Sequence, residues 1–200
     1  MSSSLRWVIT CPLHIEKLLD QELRSLGYKD LKPSAGKVSL ESPLEAGFRI
    51  CLWSRLANRV LLQLGEWDGK DGDSIYQNAR EFPWHEHLRP NQTFAISFHG
   101  TNQHIRHPYY GSQILKDALV DHFRDSIGIR PNVDPKNPQI GFWAHLEANQ
   151  LTLSLDFSGF SLHQRGYRQH QGSTSLKENL AAALLWQCGW PMKAKHGDTL

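Results

Sequence analysis

The sequence predicts an α+β protein made of two small units in series, each a sheet with helices packed on it. Three observations carry this. Short β-branched or alternating runs, such as Trp7-Val8-Ile9-Thr10-Cys11 and Thr93-Phe94-Ala95-Ile96-Ser97-Phe98, read as strands. Amphipathic helical patterns closed by glycine, from Leu13 to Gly27 and from Ser112 to Gly128, lie among them. With 200 residues, 40% hydrophobic and 10% aromatic, there is apolar material for a packed core and room for one large domain or two small ones.

In chain order, the Trp7–Cys11 strand is stopped by Pro12. Leu13, Ile15, Leu18, Leu19, Leu23 and Leu26 then recur at helical spacing, set among Glu16, Lys17, Asp20, Glu22 and Arg24, with Gly27 as C-cap. Lys37 to Glu41 alternates as a half-buried strand, residues 44–56 turn helical, and residues 59–65 form a strand leading out. Residues 67–73 hold two glycines and four charged residues, which marks a loop and the preferred boundary.

In the second unit, residues 74–87 form a helix interrupted near Pro83, followed by the Thr93–Phe98 strand. Ile114, Leu115, Ala118, Leu119, His122 and Phe123 share one face of the helix from Ser112 to Ile127. A loop with Pro131, Pro135 and Pro138 leads to a hairpin of residues 140–146 and 151–156 around Ala148-Asn149-Gln150. Residues 160–171 are polar and basic. Residues 175–187 then form an Ala/Leu-rich helix with Ser173, Thr174 or Ser175 as N-cap, ended by Gly189-Trp190-Pro191. Trp7, Trp53, Trp143 and Trp186 sit in apolar patterns and read as core. The apolar-faced last helix, with nothing after it to pack on, is expected to precede a further domain.

Charge and cysteines bound the function. The 22 Lys+Arg against 20 Asp+Glu leave a net charge of +2, so a nucleic-acid partner has to be held by local patches. Cys11, Cys51 and Cys188 make no CxxC pair, and neither a disulfide framework nor a thiolate zinc site is implied. The N-terminus lacks the pattern of a signal peptide, and no apolar run approaches the roughly 20 residues that span a bilayer. The chain reads as soluble and cytosolic, with no membrane partner.

The 11 histidines include His85 and His87, two apart and able to share one side of a strand, and His104 and His107, three apart. None has the spacing of a zinc motif, and surface histidines give the same count. No GxSxG, GxGxxG or GxxxxGK[ST] occurs. No catalytic, cofactor-binding or metal site is therefore expected in these residues.

Basic and aromatic clusters remain. His104-Ile105-Arg106-His107-Pro108-Tyr109-Tyr110-Gly111 gathers donors and two stacking rings just before a helix, with Lys116 about one turn into it. Single-stranded RNA binding uses this mixture, and a helix N-terminus adds free N–H groups for phosphate. A solvated loop whose tyrosines pack on their own domain fits equally. The second cluster, His163-Gln164-Arg165-Gly166-Tyr167-Arg168, also reads as an ordinary basic linker.

Together these segments resemble the N-terminal part of the THUMP-containing bacterial ribosomal RNA guanine-N2 methyltransferases. The resemblance rests on Leu52-Trp53-Ser54-Arg55-Leu56-Ala57, Tyr110-Gly111 with Lys116-Asp117-Ala118, and Arg130-Pro131-Asn132-Val133-Asp134. It continues through Leu155-Asp156-Phe157-Ser158-Gly159, residues 162–168, and Lys177-Glu178-Asn179-Leu180-Ala181-Ala182-Ala183. It implies a ferredoxin-like domain at residues 1–66, a THUMP RNA-binding domain at 67–160, and a linker with the first helix of a Rossmann-like methyltransferase domain at 161–200. In such proteins that last domain uses S-adenosylmethionine to methylate a guanine of 23S ribosomal RNA. Its glycine motif and Asn-Pro-Pro-Tyr-type motif do not occur here, and Gly197-Asp198-Thr199-Leu200 is expected to open its first strand.

The resulting expectation is an RNA-recognition module, inactive alone, that delivers ribosomal RNA to a methyltransferase domain of the same parent. Arg106, Tyr110, Lys116 and Arg130 are the expected THUMP contacts. Arg165 and Arg168 either hold RNA on the approach to the catalytic domain or fix the interdomain angle. A ferredoxin-like protein-interaction module and a histidine-based metal enzyme are the alternatives.

Overall fold

The structure, a computed structural model, describes residues 4–166 and 175–190. Its contacts divide the chain into Met1–Leu62 with Phe160–Leu200, and Gln63–Gly159.

The first unit runs β1 (Leu5–Thr10), α1 (Glu16–Ser25), β2 (Lys32–Ser34), β3 (Lys37–Ser42), α2 (Glu45–Trp53) and the start of β4 (Arg59–Asp68). Its strand order is β2-β3-β1-β4. All pairings are antiparallel, with Trp7 opposite Leu40 and Leu62, and Ile9 opposite Val38 and Val60. Side chains alternate along a strand, so this register puts Trp7, Ile9, Val38, Leu40 and Val60 on one buried face. Leu19, Leu23 and Ile50 from the two helices complete that core. Burying one such aliphatic side chain contributes about 1.5–3 kcal/mol.

Helix α1 starts three residues later than its apolar pattern, because His14 has a positive φ of 70°. Its buried residues are Leu19, Glu22 and Leu23, so Glu22 lies on the inner face rather than with the polar residues of the outer one. Trp53 ends α2 and is exposed, not core. Beyond Phe160 this unit includes α5 (Glu178–Gln187), shorter than its pattern, with Lys177 and not Ser175 in the N-cap position. Ser173 and Thr174, like Arg168 and Gly197 to Leu200, lie outside the described residues.

Strand β4 outruns its expected end and reaches Asp68, and α3 (Gly72–Glu81) starts almost at once, leaving three residues of the expected loop. Asp71 caps α3 by accepting from the Ser74 N–H at 2.9 Å, while the Ser74 hydroxyl accepts from the Asp71 N–H at 3.1 Å. After Pro83 the chain makes a 3-10 turn at Trp84–Glu86, so His85 and His87 are not on a strand. Then come β5 (Thr93–His99), α4 (Pro108–Ile127), β6 (Asn132–Val133), β7 (Ile140–Glu147) and β8 (Gln150–Asp156).

In this unit the order is β4-β8-β7-β5-β6. Strand β5 pairs in parallel with β6 and β7, as the crossover through α4 requires, and β7 and β8 form an antiparallel hairpin. Phe94, Phe98, Phe142, Ala144, Leu146, Leu151 and Leu153 pack under Ile75, Ala79, Leu115, Leu119 and Phe123 of α3 and α4. Trp84 closes one end of this core, its indole donating to the Ala79 carbonyl at 2.6 Å.

Candidate nucleic-acid interface

The N-terminus of α4 is built differently from its sequence pattern. Pro108 is the first helical residue, a position where its missing N–H costs nothing. His107 caps the helix, its Nδ1 accepting from the Tyr109 N–H at 3.1 Å. Tyr109 and Tyr110 therefore project from the first turn of a helix, not from a loop. Both are exposed.

The segment before α4 is held down at two places. Ile105 is fully buried. The Asn102 side chain donates to the carbonyls of Gly69 and Lys70 at 3.0 and 3.1 Å, and its oxygen accepts from the N–H groups of His104 and Ile105 at 3.0 and 2.7 Å. The Gly69 N–H in turn donates to the carbonyl of Asn149 at 2.7 Å. The entry to α3, the entry to α4 and the β7–β8 turn are thus laced into one loop cluster within the second unit.

Two glycines permit this closeness. At Gly100, with a φ of 86°, a Cβ would sit 1.9 Å from the Leu146 carbonyl oxygen. At Gly111 it would meet the Phe98 ring at 2.6 Å. The Tyr110 hydroxyl lies 3.0 Å from where a Cβ on Gly72 would be, so its ring leans over the start of α3. Tyr76 of α3 donates to Asp121 of α4 at 2.7 Å, further along the same side-by-side pair. Both positive helix ends consequently face the same end of the unit.

Arg106 is exposed at this cluster, its Nε donating to the Gln103 carbonyl at 3.3 Å. Lys70 and His104 lie close enough to Asp71 to act on it electrostatically, although the Ser74 backbone hydrogen bond is the main cause of the lowered Asp71 pKa. Lys116 is two turns into α4 rather than one, because the helix begins at Pro108. Its Nζ is engaged with Gln113 Oε1 at 2.6 Å and Asp117 Oδ1 at 3.0 Å.

Arg130 is elsewhere. It is exposed, just past the Gly128 C-cap, where the Gly128 N–H donates to the Arg124 carbonyl at 2.9 Å. Helix α4 has 20 residues. At 1.5 Å per residue its two ends are about 30 Å apart, so Arg106 and Arg130 do not form one patch.

Arg165 belongs to the first unit and is half-buried. Its Nη2 donates to the Ser54 carbonyl and its Nε to the Leu162 carbonyl, both at 2.8 Å. Ser54 is held from behind: its hydroxyl donates to Glu22 at 2.6 Å, and Glu22 also accepts from the N–H groups of Arg55 and Leu56 at 2.9 and 3.4 Å. Burial pushes the Glu22 carboxyl above the usual carboxylate range, against the pull of those hydrogen bonds. Alongside, the Asn179 amide of α5 donates to Asn58 Oδ1 at 2.7 Å.

Sequence reasoning missed Asn102, Glu22 and Asn179. Glu22 had a signal, since Ile15, Leu19, Glu22 and Leu26 follow helical spacing on one face. The donation by Asn102 to Gly69 and Lys70, more than 30 residues away, had none. Among the described residues no group of three His, Cys, Asp or Glu side chains is placed to hold a metal ion.

Comparison with known proteins finds a similar domain family in each unit. Residues 69–156 match the THUMP domain and residues 6–61 match the RlmL ferredoxin-like domain. The loop cluster, α3, α4 and the β5-β7-β8 sheet all lie within or beside the THUMP match.

The ribosomal RNA large subunit methyltransferase K/L of Cellvibrio japonicus is 43% identical over 195 residues, 98% of this chain and 26% of that protein. The protein of the same name from Pseudomonas aeruginosa is 44% identical over 192 residues, 96% and 26% of the two chains. This chain is homologous to the N-terminal region of those proteins and spans about a quarter of their length. Among solved structures, a predicted N6-adenine-specific DNA methylase from Listeria monocytogenes superposes with a TM-score of 0.79 at 28% identity. The match covers 92% of this chain and 48% of that one.

Proposed function

We propose that this chain is the RNA-recognising N-terminal part of a cytoplasmic S-adenosylmethionine-dependent methyltransferase that modifies a guanine of 23S ribosomal RNA. The observation that carries the reading is the pairing of the two domain matches, in order, with relatives named ribosomal RNA large subunit methyltransferase K/L. The division proposed is residues 1–66, 67–160 and 161–200.

Arg106 and Tyr110, supported by Lys70 and the two helix N-termini, make the main contact. Phosphates are met by the cations and N–H groups, and an unstacked base lies on a tyrosine ring. Lys116 exchanges its Asp117 partner for a phosphate. Arg130 contributes only to an RNA that runs the length of α4. Arg165 acts chiefly in the orientation role, because its guanidinium is spent on two carbonyls; Arg168 is proposed to act with it or to meet RNA.

The described residues do not fit S-adenosylmethionine. The cleft between α2 and α5 is walled by Leu52, Trp53, Leu162 and Leu185, and its Arg165 and Glu178 are engaged within the unit.

The test is a titration of the chain with 23S ribosomal RNA hairpins against duplex RNA and duplex DNA of equal length. Preferential binding of the hairpins is expected. Equal affinity for all three would contradict the reading and favour a protein-interaction module.

A further inference from the structure

In the second unit, Phe94, Phe98, Phe142, Ala144, Leu151 and Leu153 face the core under α3 and α4. Side chains alternate along a strand, so Ser97, His99, Trp143, His145 and Thr152 share the opposite face of β5, β7 and β8. Trp143, expected in the core, is half-buried there, and His99 is exposed. Their rings are stacked, with centroids 4.0 Å apart and planes 17° apart. Ser97 is directly opposite Trp143 and His99 opposite His145, so the two rings belong to diagonal positions. Aromatic side chains reach one another across that diagonal. The positions around the pair are small: Gly141 has no side chain, and Ala95 opposite it and Ser97 have short ones. A flat ring pair thus stands over a low floor, with the hydroxyl residues Ser97 and Thr152 beside it.

The charges on this face decide what it can receive. Glu147 is exposed, with a carboxylate oxygen 3.8 Å from His145 Nε2, and Asp156 lies beside Gly141. A phosphate brought here meets two carboxylates, whereas a neutral base does not. Stacking on an aromatic ring needs no cation and accepts any base. Trp143 is the one large apolar side chain that the described residues of β5, β7 and β8 place on this face, too little for the apolar centre of a protein contact. Phosphates are left to the loop cluster, which begins where these strands end. Gly100 follows His99, Leu146 follows His145, and a Cβ on Gly100 would sit 1.9 Å from the Leu146 carbonyl oxygen.

We infer that the His99–Trp143 pair is a stacking platform for an unpaired RNA base, adjoining the loop cluster and distinct from it. The inference rests on the functional reading above and adds to it a second place where a base, not a phosphate, is held. A strand whose phosphates lie at Arg106 and Lys70 passes over the end of β5 and β7, and an unstacked base extends the pair of rings. The residues Ser97 and Thr152 meet the edge of that base with their hydroxyls.

The experiment titrates the chain into a labelled ribosomal RNA hairpin with an unpaired loop, and into perfect duplex RNA of equal length, at several salt concentrations. Trp143→Ala should bind the hairpin about 5- to 150-fold more weakly, the worth of one base–aromatic stack. Its salt slope should equal that of the wild type, since no phosphate contact is lost. Duplex RNA, whose bases are already stacked, should bind the variant and the wild type alike. Trp143→Phe keeps a ring and should recover most of the affinity. His99→Ala changes an exposed residue and tests the pair even where Trp143→Ala fails to fold. Hairpin binding as tight in the alanine variants as in the wild type overturns the inference and leaves Arg106-dependent binding standing. An equal loss for hairpin and duplex also overturns it, because Trp143 then supports the fold or a protein contact. A wild type that binds neither RNA overturns the functional reading and this inference together.

Discussion

Arg165 donates through Nη2 to the main-chain oxygen of Ser54 at 2.8 Å, joining residues 111 apart in the sequence. Two of the most recognisable sequence segments, Leu52 to Ala57 and the described part of the second basic cluster, Leu162 to Gly166, therefore meet in one hydrogen-bonded junction. Glu22 supports it from inside α1 through the Ser54 hydroxyl.

Arg165→Ala removes two charge-assisted hydrogen bonds and strands two half-buried carbonyls. A loss of about 1–2 kcal/mol in urea unfolding is expected. Arg165→Lys should recover only part of it, because an ammonium cannot span both carbonyls as the planar guanidinium does. Wild-type stability together with weakened RNA binding would make Arg165 an RNA contact instead.

Glu22 gives the junction a pH dependence. Its folded pKa is raised by burial, so above the ordinary carboxylate pKa of 4.5 the unfolded chain ionises first. Over that window the folded state holds the extra proton and stability falls as pH rises, until the folded carboxyl also ionises. Glu22→Gln should remove this component, so the difference in unfolding free energy between the two proteins should vary with pH above 4.5. A constant difference across that range would contradict the assignment.

Asn102→Ala should free the segment before α4 without touching the helix. Exchange of amides 101–107 is expected to rise, with a cost of about 1–3 kcal/mol for the donors and acceptors left unpaired. The interior of α4 should be unaffected. RNA affinity should fall although no charge is removed.

Gly100→Ala places a methyl group against the Leu146 carbonyl at a positive φ, and Gly111→Ala drives one into the Phe98 ring. Each should destabilise the second unit by at least about 1–3 kcal/mol, the cost of overpacking. Gly100→Ala should be the worse, since backbone cannot yield as a side chain can. Differential scanning calorimetry of the two variants gives the order.

The elements that the sequence made legible are those with sustained periodicity: β1, α1, β3, the body of α4 and the β7–β8 hairpin. Strands β2 and β6, of three and two residues, are too short to carry an alternation. The start of α4 was hidden because Pro108-Tyr109-Tyr110-Gly111 has loop composition, although proline at a first helical position is itself a start signal. Trp53 was misread because a tryptophan in an apolar run reads as core on either face of a helix. The candidate site was legible as composition but not as geometry. Arg106 and Arg130 look alike in sequence, and only the length of α4 separates them. Arg165's contact with Ser54 depends on packing that no spacing rule encodes.

The most direct measurement is the salt dependence of binding of the chain to a structured 23S ribosomal RNA fragment, by fluorescence anisotropy, for the wild type and Arg106→Ala. The wild type should show a linear fall of log affinity with log salt, and Arg106→Ala should bind more weakly with a slope smaller by about one. Unchanged affinity and slope in Arg106→Ala and in Arg106→Ala/Lys116→Ala would contradict RNA recognition by the loop cluster.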